Sequence, residues 1–147
     1  MADFRTIDIR LIHFFRRISV PAARISLFVV FFWFGLLKAL GLSPAGPLVH
    51  SLFDQTIHWM SFGTFYMLFA LFEMLIGVLF LIKGAERIVL PLLLFHMVTT
   101  FLPLIYLPTE SWQAPWVPTL AGQYIIKNLA LIAAAIGIAA HLHPVKR

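Results

Sequence analysis

The amino-acid sequence predicts an all-α fold, an integral membrane four-helix bundle with a short interfacial helix between the first two spans. Three observations lead there. Of 147 residues, 61% are hydrophobic and 12% charged, with a mean hydropathy of +0.94, far from the composition of a soluble domain. The apolar residues gather into four stretches of about 20, the length needed to cross roughly 30 Å of hydrocarbon at about 1.5 Å per residue. The joints between them are short and either polar or rich in proline. This leaves room for one transmembrane domain and little else. The absence of cysteine excludes disulfides, thiolate metal sites, iron–sulfur clusters and a dithiol relay within the chain.

Residues 1–19 place Phe4, Ile7, Leu11, Phe14, Phe15 and Ile18 three and four apart among Arg5, Arg10, Arg16 and Arg17. That pattern predicts a basic amphipathic helix lying on the inner membrane surface. Asp3 and Asp8 dilute its charge, so a basic tail is the alternative. The transmembrane domain is expected over 20–147. Its first span, about 20–42, is too long for a signal peptide and lacks a small-residue cleavage site, so an uncleaved anchor is expected. Gly41, Pro44, Gly46 and Pro47 end it. The second span covers about 62–82, and Lys83-Gly84-Ala85-Glu86-Arg87 forms a polar turn. The third covers about 88–107, with Pro91 expected in its first turn, where a missing amide costs little. After Pro108 a stretch with Trp112, Pro115, Trp116 and Pro118 suits a membrane interface. The fourth span covers about 121–141.

Charge sets the expected orientation. Arg5, Arg10, Arg16, Arg17, Arg24, Lys83, Arg87, Lys146 and Arg147 all fall on one side of a four-span arrangement. The positive-inside rule makes that side cytoplasmic, with both termini there. The net charge of +5 then reports topology and not nucleic-acid binding. His13, His141 and His143 lie at the same surface and read as interfacial.

Between the first two spans, Leu48, Val49, Leu52, Phe53, Ile57 and Met60 oppose His50, Ser51, Asp54, Gln55 and His58, as in a short helix on the outer surface. His50, Asp54 and His58, at four-residue steps, are weak candidate metal ligands, and a solvated polar face explains them equally well.

Within the spans an ionisable group costs about 2.5–3.5 kcal/mol or more at mid-bilayer unless paired or hydrated. Glu73 and His96 each lie eleven positions from the outer ends of their spans, a common depth of about 16 Å. Lys38 and Lys127, nearer the outer surface, are placed to reach toward Glu73. Thr99, Thr100, Gln123 and Asn128 share these faces, and Gly35 and Gly77 allow close helix approach. Either a ligand pocket or a structural cluster of Glu73, Lys127 and His96 accounts for the pattern. Haem is not expected, since His96 has no deep histidine partner. Neither Ser61 nor Ser111 sits in the context of an activated nucleophile.

Three segments carry a family resemblance: Phe32-Trp33-Phe34-Gly35-Leu36-Leu37-Lys38, Glu73 with Gly77, and Gly122-Gln123-Tyr124-Ile125-Ile126-Lys127-Asn128. Together, over residues 20–141, the chain resembles the DoxX family, and it is also similar to inner-membrane proteins linked to reactive-chlorine resistance. The resemblance implies a compact bundle in a bacterial inner membrane. Relatives are subunits of thiosulfate:quinone oxidoreductase or partners of oxidative-stress enzymes. Two functional expectations follow. In one, Lys38, Glu73, His96, Lys127, Gln123, Asn128, Thr99 and Trp33 bind a quinone headgroup or small anion in a membrane redox subunit. In the other, the chain is a non-catalytic scaffold or partner of a redox or stress-response enzyme. Transport would require a homo-oligomer, because four short spans leave little room for a pathway.

Overall fold

The computed structural model describes residues 2–142, which places His143, Lys146 and Arg147 outside the described residues. The chain is an all-α membrane bundle with four helices long and apolar enough to span a bilayer. The first helix, α1 (Ala2–Ala39), is continuous for 38 residues. No break separates the basic amphipathic segment from the first span. Pro21 lies inside the helix and forfeits one amide hydrogen bond, which the flanking turns tolerate. Residues 4–19 stand clear of the rest of the bundle, exposed throughout.

The end of α1 follows from its sequence. Gly41 adopts φ +70°, and the Gly41 and Leu42 amides donate to the carbonyls of Lys38 and Leu37 at 3.0 and 2.8 Å. This is a Schellman cap, in which a left-handed glycine closes the last turn. The cap stops the helix three residues short of the expected 42. The interfacial helix α2 (Gly46–Thr56) follows, with Phe53 buried against the rings of Phe62 and Phe65.

The second span is α3 (Phe62–Leu81), whose N-cap Ser61 accepts a hydrogen bond from the Thr64 amide. Gly84, at φ +92°, turns the chain into α4 (Glu86–Phe101). Here one expectation is corrected. The helix begins at Glu86, so Pro91 is its sixth residue and lies in the second turn, where the missing amide removes one rung of the helical hydrogen-bond ladder. Pro103 then restarts the chain as the short α5 (Pro103–Tyr106), and another turn, α6 (Pro108–Ser111), follows. The tryptophan-rich stretch is an antiparallel hairpin of β1 (Trp112–Ala114) and β2 (Val117–Pro118), with Trp116 at φ 65° in the turn. Ser111, wholly buried, donates to the Pro103 carbonyl at 2.9 Å and fixes the hairpin's base. The last span is α7 (Leu120–Ala139), capped by the Thr119 hydroxyl on the Gly122 amide.

The interior is built from Leu27 and Phe31 of α1, Ile76 and Phe80 of α3, Val89, Leu93 and Met97 of α4, and Ala135 and Ile138 of α7. The tightest seam joins α1 and α3, which run antiparallel. A Cβ on Gly35 would stand 2.7 Å from the Ala70 carbonyl oxygen, and one on Gly77 would stand 2.7 Å from the Phe32 amide nitrogen. Small residues at both points bring the backbones together. The outward faces carry Leu68, Leu71 and Leu75, Leu94, Phe95 and Val98, and Leu129 and Ile136. So continuous an apolar exterior suits hydrocarbon and not water.

Candidate functional site

At mid-depth in the bundle three elements each contribute one ionisable side chain. Lys38 sits in the last turn of α1 and is 7% exposed, Glu73 in α3 is 5% exposed, and His96 in α4 is 3% exposed. Helical side chains lean toward the N-terminus, so Lys38 reaches back along α1 to the level of Glu73. The close α1–α3 approach at Gly35 makes the distance short. Lys38 Nζ donates to Glu73 Oε2 at 2.6 Å, and His96 Nε2 stands 3.3 Å from Oε1, so both carboxylate oxygens are engaged.

An aromatic sheath surrounds these groups. Phe31, Phe69 and Phe72 lie with ring centroids 5.5, 5.2 and 6.1 Å from that of His96. The Lys38 ammonium lies 5.5 Å from the centre of the Phe69 ring, a cation–π contact that partly replaces lost hydration. Thr99 and Thr100 donate to the His96 carbonyl at 2.7 and 2.9 Å, so their hydroxyl protons serve the helix backbone. Thr100 Oγ1 is also 3.4 Å from His96 Nε2.

His96 Nδ1 is buried with no hydrogen-bond partner. A proton on Nε2 points at Glu73 or Thr100 and leaves Nδ1 a bare lone pair, whereas a doubly protonated ring would bury an unpaired N–H, the costlier defect.

Comparison with protein-family models, curated proteins and solved structures finds no match.

The structure brings together only part of the expected site. Lys38, Glu73 and His96 meet, with Thr99 and Thr100 beside them. Lys127 does not join them: it is exposed on α7, with Nζ 4.3 Å from the centre of the Tyr124 ring. The cation in the cluster is therefore Lys38 in place of Lys127. Gln123 is exposed on α7, Asn128 is half-buried, and Trp33 is 58% exposed on the outer face of α1. On α2, His50 Nε2 and Asp54 Oδ1 lie 3.7 Å apart, both largely exposed, and His50 stacks on Phe62. The helix ends at Thr56 and Ile57 is extended, which takes His58 off that face. Among the described residues, no three His, Asp or Glu side chains are grouped to hold a metal ion.

Sequence reasoning missed two features. The phenylalanine sheath carries no polar signal and reads as ordinary span composition. The second is an ion pair between Arg24 and Glu86, each side chain 13% exposed, at the other end of the α1–α3 seam. Antiparallel register was the available clue: with Gly35 opposite Ala70 and Met74, Arg24 falls opposite the turn that leads into Glu86.

Proposed function

We propose that this chain is a DoxX-like inner-membrane partner subunit of a redox or oxidative-stress system, and that Lys38, Glu73 and His96 act as an internal lock among three of its spans. The observation that carries this reading is the saturation of Glu73. Its two oxygens are taken up by Lys38 and His96 from the same chain, inside an aromatic sheath. A group satisfied in this way fixes helix register and gives a partner a rigid surface. Both termini lie on the cytoplasmic side in this reading, which the concentration of arginine at the Arg24 end supports.

Purification from native membranes in a mild detergent tests it. A protein partner retained at about one copy per chain, without quinone, is the expected result. A lone chain carrying stoichiometric quinone would overturn it.

One observation favours a second reading, a site for a quinone or small anion. The unpartnered lone pair on His96 Nδ1 is an acceptor able to take a hydrogen bond from a quinol hydroxyl. In that case Glu73 and His96 exchange protons with the headgroup and Lys38 holds an oxygen. Lys127, Gln123 and Trp33 stand too far out on their helices to share such a site.

A further inference from the structure

Where α1 meets the turn between α3 and α4, a cleft of about 420 Å³ opens at the surface of the bundle. Val20, Ile25 and Leu81 give it apolar walls, and Arg24, Lys83 and Glu86 line it with charge. Ile25 and Leu81 are 56% and 47% exposed, so an apolar track leads from the cleft along the membrane-facing surface.

The charged groups are not in balance. Arg24 Nη1 donates to Glu86 Oε1, while Nη2 is buried with no partner. A guanidinium with one terminal nitrogen satisfied and the other orphaned lacks an acceptor. Lys83, exposed beside the left-handed Gly84, brings a second cation. Two cations and one carboxylate leave one unit of positive charge. Further along α1, Arg17 and Arg10 precede Arg24 by seven and fourteen residues, which keeps all three near one helical face.

We propose that this cleft binds the phosphate of an anionic phospholipid in the leaflet that meets the Arg24 end of the bundle. The phosphodiester monoanion matches the single net charge and accepts hydrogen bonds from Arg24 and Lys83. One acyl chain lies against Ile25 and Leu81, and the Arg17 and Arg10 stripe draws anionic headgroups toward the site. Glu86 holds the Arg24 guanidinium in place and, by repulsion, disfavours the doubly charged free phosphate ion. The apolar walls select a ligand with a hydrocarbon chain in the same way.

Native mass spectrometry of the full chain in a neutral detergent tests this, with phosphatidylglycerol, phosphatidylcholine and inorganic phosphate as separate probes. Phosphatidylglycerol is expected to bind at least about tenfold more tightly than phosphatidylcholine and to survive excess inorganic phosphate. Lys83→Gln, at an exposed turn position, is expected to remove most of that preference while leaving the helical circular dichroism unchanged. Arg24→Gln is expected to do the same where it folds. Equal retention of the two lipids, an unchanged preference in Lys83→Gln, or displacement by inorganic phosphate would overturn the assignment.

Discussion

Replacing Lys38 with methionine removes the ammonium while keeping a side chain of similar length and apolar character. The carboxylate of Glu73 then keeps His96 on one oxygen and loses its only cation, at a position 5% exposed. Removing one member of a buried ion pair costs about 3–5 kcal/mol, because the remaining charge is left uncompensated. The surviving His96 contact places the expected loss near the lower end, about 3 kcal/mol. Replacing both members, Lys38→Met with Glu73→Leu, removes both charges and is expected to cost less than about 1.5 kcal/mol. A double-mutant cycle should therefore show a coupling of at least about 2 kcal/mol between the two positions. Reversible unfolding in mixed micelles, followed by far-ultraviolet circular dichroism as the denaturing detergent is titrated, measures it. A single variant within about 1 kcal/mol of wild type, or additive effects in the cycle, would refute the reasoning.

The same titration checks three other expectations. Gly77→Ala forces a Cβ to within 2.7 Å of the Phe32 amide nitrogen and should destabilise by about 1–3 kcal/mol, whereas Gly137→Ala, with nothing within 4 Å, should be neutral or gain up to about 1 kcal/mol from helix propensity. Lys127→Met should leave stability within about 0.5 kcal/mol of wild type, since that lysine lies outside the buried cluster; a loss comparable to that of Lys38→Met would place Lys127 in the cluster after all.

The four spans, the interfacial helix and the common depth of Glu73 and His96 were legible because each follows from a single local rule: span length, helical periodicity, or rise per residue. The choice between Lys38 and Lys127 was not. Both lie near the same end of the bundle, and which one reaches Glu73 depends on helix rotation, fixed for α1 against α3 by the Gly35 and Gly77 contacts. Periodicity shows that Gln123 and Lys127 share a face of α7. It does not show that the face points outward. The continuity of α1 through Pro21 is likewise unannounced, since a surface helix bent at the proline has the same residue pattern. The hairpin after Pro108 rests on Ser111, Trp112 and Thr119 reaching backbone carbonyls of Pro103, Leu104 and Glu110, contacts that no residue spacing announces.

The internal-lock account turns on the state of His96, and nitrogen-15 magnetic resonance of its imidazole reads that state directly, with the His96→Gln protein identifying the signals. The account predicts a neutral ring protonated on Nε2, with an Nδ1 signal that does not move when a soluble ubiquinone analogue is titrated in. A saturable shift of the Nδ1 signal, lost in Lys38→Met, would contradict it and make the cluster a ligand site.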